Sequence, residues 1–123
     1  MHDALPGFQM PDEPRVERAA EAFRLLADPT RIKILWALAQ GETSVACLAE
    51  LVHAAPTAVS QHLSKLRLAG LVRGRRHGTY VYYTTVDEQI TELLRVSLDH
   101  PVPAAAAPPT PPPAGTSRAS RGD

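Results

Sequence analysis

Between Glu50 and Asp87 the chain carries no carboxylate, yet Lys65, Arg67, Arg73, Arg75 and Arg76 all fall in that window, with His53, His62 and His77 among them. The whole chain is neutral, 13 Lys and Arg against 13 Asp and Glu, so positive charge is gathered into one segment and balanced elsewhere. A surface of this kind attracts a polyanion, above all a nucleic-acid backbone. Interleaved with the cations are Thr57, Ser60, Gln61 and Ser64. Such short polar side chains reach base edges without holding the backbone away from a groove. Catalysis has no comparable support: there is no phosphate-cradling glycine loop, no nucleophile with a matching base, and no carboxylate pair outside a helix terminus. An enzyme is not expected.

Those side chains need a helix and a hairpin to present them. Pro56 suits a first helical position, and Val59, Leu63 and Leu66 recur at inward-facing spacing. That leaves Thr57, Ser60, Gln61, Ser64 and Lys65 outward, with Arg67 near phosphates and Gly70 ending the helix. A shorter helix capped by Thr43 or Ser44 is expected before it, running to Val52. It buries Val45, Leu48 and Leu51 and keeps Cys47 close to the same face, and His53 to Ala55 form the break. After Gly70, two β-rich runs flank His77-Gly78 and predict a hairpin. This wing brings Arg73, Arg75 and Arg76 to the DNA backbone and His77 to a tip that can enter the minor groove.

Upstream, Val16, Ala19, Ala20, Phe23, Leu26 and Ala27 predict an amphipathic helix over residues 13–27. Asp28-Pro29 then opens a second one, with Ile32, Leu35, Trp36 and Ala39 as its buried stripe and Gly41 as its end. Downstream, Ile90, Leu93, Leu94 and Leu98 give a last helix over 87–100, stopped by Pro101. The expected fold is mainly α with a small β-hairpin: a winged helix-turn-helix of four helices, a two-stranded wing and a final helix.

Residues 1–12 read as a flexible arm, 13–100 as the DNA-binding and dimerisation domain, and 101–123 as a disordered Pro/Ala-rich tail. A core of this size gains from oligomerisation, and the last helix has a stripe that a two-fold partner would cover, so a homodimer is expected. The single Cys47 offers neither a disulfide nor a zinc-finger pair, which suits a reducing compartment. With no apolar leader and no run of membrane-spanning length, the expectation is a cytoplasmic protein without membrane partners or a small-molecule substrate.

Three ordered motifs resemble the ArsR/SmtB family of transcriptional regulators. They are Phe23-Arg24-Leu25-Leu26-Ala27-Asp28-Pro29-Thr30-Arg31-Ile32-Lys33-Ile34-Leu35, then Ala58-Val59-Ser60-Gln61-His62-Leu63-Ser64-Lys65-Leu66, then Gly70-Leu71-Val72-Arg73 with Gly78-Thr79-Tyr80-Val81-Tyr82-Tyr83. The resemblance spans about residues 15 to 100. It implies a homodimer built through the first and last helices, bound to double-stranded operator DNA with inverted-repeat symmetry. The DNA-reading region looks like the nickel- and cobalt-sensing branch.

What the family senses must be checked residue by residue. The soft-metal site of the third helix needs two thiolates, where this chain has Ser44 and Ala46, with Cys47 displaced. The last-helix site is half present: Asp87 and His100 match, whereas Gln89 and Pro103 replace the other two ligands. Asp87 and His100 lie roughly 20 Å apart along one helix, so they could share a metal only across an antiparallel pair. Glu88, Glu92, Asp99, His2 and Asp3 are the candidate extra ligands. An imidazole and carboxylate set without thiolate favours nickel, then cobalt or zinc. The alternatives left open are that Asp87 and His100 only finish the helix ends, that the regulator responds to redox state through Cys47 or to nothing, or that the fold is a protein-interaction module.

Overall fold

Asp28 and Pro29 divide residues 13–40 into two helices, because the proline fixes a helical start and the Asp28 carboxylate accepts the Arg31 backbone N–H at 3.0 Å. The computed structural model describes residues 4–100. Its elements are α1 (Glu13–Leu26), α2 (Pro29–Gln40), β1 (Thr43–Ser44), α3 (Val45–Val52), α4 (Pro56–Leu68), β2 (Val72–His77), β3 (Tyr80–Thr85) and α5 (Glu88–Asp99). This is the expected mainly helical winged helix-turn-helix, with one added strand. The 101–123 tail and the first three residues of the arm lie outside the described residues.

The added strand makes the wing three-stranded, in the order β1-β3-β2 and antiparallel throughout. Thr43 pairs with Tyr83 and Ser44 with Tyr82. A two-residue strand carries no periodicity of its own, so only the neighbouring hairpin reveals it. Ser44 also caps α3, its hydroxyl accepting the Cys47 N–H at 3.3 Å. Gly74 faces Tyr83 across the ladder, and a Cβ there would sit 3.1 Å from the Tyr83 ring. The missing side chain lets that ring lie against β2.

The core joins α2 (Ile34, Leu35, Leu38), α3 (Leu48, Ala49, Val52) and α4 (Val59, Leu63, Leu66) with Val72 and Leu94. Three helical faces differ from those expected. On α3 the buried trio excludes Leu51, which is 60 % exposed, and Cys47 is exposed rather than close to the core. A helix of eight residues has room for one inward stripe, and contact with α2 and α4 selects Leu48, Ala49 and Val52. On α2 the buried face is Ile34, Leu35 and Leu38, while Ile32 and Trp36 are half-buried and Ala39 is exposed. On α1 only Leu26 is buried, and Phe23 stands 58 % exposed. The apolar stripe of α1 is real, but beyond Leu26 the described residues leave its large side chains, Val16 and Phe23, exposed.

Candidate nucleic-acid interface

The turn between α3 and α4 is held by His53 in the left-handed conformation, φ 57°, with the Ala54 N–H donating to the Ala49 carbonyl at 3.0 Å. Pro56 then begins α4. Val59, Leu63 and Leu66 point into the core and Thr57, Ser60, Gln61, Ser64, Lys65 and Arg67 are exposed. The outward set therefore forms one polar face of the second helix of a helix-turn-helix. The helix ends in a Schellman motif: the Gly70 N–H donates to the Arg67 carbonyl at 2.9 Å and the Leu71 N–H to the Leu66 carbonyl at 2.9 Å, with Gly70 at φ 80°. That stop aims the chain from the end of α4 straight into the wing.

A polar cluster behind α4 fixes its position. The Arg31 Nε–H donates to His62 Nδ1 at 3.0 Å, and Arg31 Nη1 donates to the Leu25 carbonyl at 2.9 Å. Asp28 Oδ1 stands 3.9 Å from His62 Nε2. One guanidinium thus ties the C-terminal end of α1 and the start of α2 to α4. The Arg31 backbone N–H, against a smaller opposing effect of burial and with help from the Arg31 charge, holds the Asp28 carboxyl below its usual range. His62, in the cationic window, is thus turned inward by this tie rather than outward with Gln61. Nothing local in the sequence pairs Arg31 with His62, because the two positions are 31 residues apart.

On the wing, Arg73, Arg75, Arg76 and His77 are all exposed, and alternation puts Arg73, Arg75 and His77 on one face and Arg76 on the other. Their charges are not equally available. Arg75 donates from Nε and Nη2 to the two Glu42 carboxylate oxygens at 2.9 and 2.8 Å, its guanidinium passing 5.6 Å from the centre of the Tyr82 ring. That fork lowers the Glu42 pKa and raises that of Arg75. Glu42 stands outside the acid-free window in sequence, and the β1-β3-β2 order carries it onto the wing. Gly78, at φ 66°, makes the tight turn with Thr79 that brings His77 opposite Tyr80.

The candidate metal residues are not brought together within one chain. Asp87 caps α5, its Oδ1 accepting the Gln89 and Ile90 N–H groups at 2.9 and 3.2 Å, and His100 lies at the opposite end. Glu92 and Asp99 flank Arg95, which hydrogen-bonds both and lowers the Glu92 pKa. Glu88 is in the first turn of α5, while His2 and Asp3 lie outside the described residues. Among the described residues no three His, Cys, Asp or Glu side chains cluster to hold a metal ion. The described donors of one chain fit a metal only with ligands added from outside that set. No described helix is long and apolar enough to cross a membrane.

Known proteins share this arrangement. The model of the arsR family of bacterial regulatory proteins matches residues 28–73, which run from the α2 cap to the start of the wing. The HTH-type transcriptional regulator KmtR of Mycobacterium tuberculosis is 48 % identical over 85 residues, 69 % of this chain and 65 % of KmtR, so the match spans just under two thirds of that relative. The HTH-type transcriptional repressor SmtB of the same species is 33 % identical over 96 residues, 77 % of this chain and 71 % of SmtB. A homodimeric winged helix-turn-helix DNA-binding domain from Mycobacterium bovis, Mb0332, superposes with a TM-score of 0.64 at 30 % identity, covering 77 % of this chain and 88 % of that one. With the fold, the α3–α4 helix-turn-helix and the three motifs in place, the chain belongs to the ArsR/SmtB family of bacterial helix-turn-helix regulators.

Proposed function

We propose that this chain is a sequence-specific, homodimeric DNA-binding transcriptional regulator that binds an inverted-repeat operator. The observation that carries the reading is the outward face of α4. There Thr57, Ser60, Gln61 and Ser64 offer base-edge donors and acceptors, while Lys65 and Arg67 on the same helix, and Arg73, Arg76 and His77 on the wing, supply phosphate contacts. Arg75 joins them only by leaving Glu42. Dimerisation is supported by the exposed apolar residues of α1 and α5 and by the homodimeric state of Mb0332. Two α4 helices related by a two-fold axis meet major-groove faces about one DNA turn apart. The test is operator titration at two salt concentrations. Steep salt dependence with discrimination against scrambled DNA is expected, and a salt-insensitive or sequence-blind interaction refutes the reading.

The same proposal assigns operator affinity a response to a divalent metal, nickel before cobalt or zinc. Its support is the resemblance to the nickel- and cobalt-sensing branch and the thiolate-free donor set of Asp87 and His100. The site would take Asp87 from one chain and His100 from the other, and metal bound there would supply a cross-link between the two α5 helices. Nickel calorimetry on the wild-type dimer and on His100→Ala tests this. Equal heats from the two proteins remove His100 from any site.

A further inference from the structure

A cleft of about 530 Å³ opens between α1 and the C-terminal end of α4. Ala22, Leu25, Ala69 and Leu71 form its apolar floor, and Arg18, Arg31 and Lys65 stand around its rim. The one carboxylate lining it, Glu21, is already paired with Arg24 at 2.6 Å. The volume is that of a small-molecule site, and the uncompensated charge is positive.

The cleft is distinct from the face on which α1 would meet a second chain. At about 100° per residue, Arg18, Ala22 and Leu25 share one side of α1, whereas Val16 and Phe23 lie on the opposite side. Those two are the exposed large apolar residues of α1, at 40 % and 58 %. A partner that covers Val16 and Phe23 therefore leaves the cleft open.

Two of its rim cations belong to the DNA-reading apparatus. Lys65 sits on α4, one turn beyond Gln61, and Arg31 holds His62 on the same helix through its Nε–H. From this placement we infer that the α1–α4 cleft is an effector site for an organic anion with an apolar body, whose occupation weakens DNA binding. The apolar body lies on Ala22, Leu25, Ala69 and Leu71, and the carboxylate or comparable head meets Arg18, Arg31 and Lys65. Occupation turns Lys65 away from phosphate and draws the Arg31 guanidinium from His62, loosening the tie that sets α4. The site itself does not depend on the DNA-binding reading, but the coupling does.

The experiment uses the full chain and three probes: octanoate, octanol, and acetate as the head alone. Two-dimensional amide spectra report binding without DNA, and operator titration reports coupling. Octanoate is expected to shift the Ala22, Leu25 and Ala69 amides and the Arg31 Nε–H saturably, with octanol and acetate at least tenfold weaker. At saturation, operator affinity should fall about fivefold or more, the lower end of measured allosteric couplings. Ala22→Trp, which fills the floor, should abolish both effects, and Arg18→Gln, a surface change, should weaken octanoate several-fold while leaving octanol unchanged. Octanol binding as tightly as octanoate, or no saturable shift at these amides, overturns the site. Saturable shifts with unchanged operator affinity overturn the coupling. Absence of DNA binding without any probe refutes the DNA-binding reading and the coupling, while the amide shifts still decide the site.

Discussion

Glu42 sets how much charge the wing presents. Its carboxylate holds Arg75 by two hydrogen bonds, so a phosphate must compete with a carboxylate for that guanidinium. Glu42→Gln should free Arg75, and the slope of log affinity against log salt should steepen by ~0.9, one additional phosphate contact. An unchanged slope would show that DNA already displaces Glu42. Asp28 is a second residue whose charge the fold uses. Its pKa is lowered in the folded chain, so its contribution to stability is complete above the ordinary aspartate range and disappears as pH falls through the lowered value. Asp28→Ala should cost about 1 kcal/mol at neutral pH, as for other lost caps. Urea unfolding should show that gap closing in acid.

At the scale of elements, the helix-turn-helix depends on one residue in an unfavourable backbone conformation. His53 holds φ 57°, a region that costs a residue with a side chain roughly 1–2 kcal/mol. Replacing it with glycine removes that cost but adds freedom to the unfolded chain. The net expectation is a gain of about 0.5–1 kcal/mol, read as a higher urea midpoint at constant slope. A loss of stability would mean that the imidazole makes a contact worth more than the strain. The elements themselves were largely legible. Proline at the start of α2 and α4, Gly70 after α4 and the apolar spacing of Val59, Leu63 and Leu66 are local signals, and each fell where the chain folds that way. β1 was illegible because two residues define it only through their pairing with Tyr82 and Tyr83.

For the whole molecule, the exposed faces of α1 and α5 carry the largest prediction. Phe23 at 58 % and Leu98 at 49 % exposure are apolar surfaces that the described residues of one chain leave in water. The double substitution Phe23→Glu with Leu98→Glu should give a folded protein, by circular dichroism, that sediments as a single chain. Operator affinity should drop about a hundredfold or more, because two half-sites are no longer engaged together. A wild-type protein that already sediments as one chain would contradict the dimer.

The run of residues by itself determined the helices, the hairpin, the polar outward face of α4 and the cationic window, because propensity, period and charge are properties of neighbours in sequence. It did not determine which apolar stripe becomes core. Leu51 and Phe23 satisfy helical spacing as well as Leu48 and Leu26 do, and only packing against other helices separates buried from exposed. Nor could it pair Arg75 with Glu42 or Arg31 with His62, contacts spanning 33 and 31 residues. Those partnerships exist because strand order and helix crossing bring distant segments within hydrogen-bond reach, and they decide which of the chain's charges remain available at its surface.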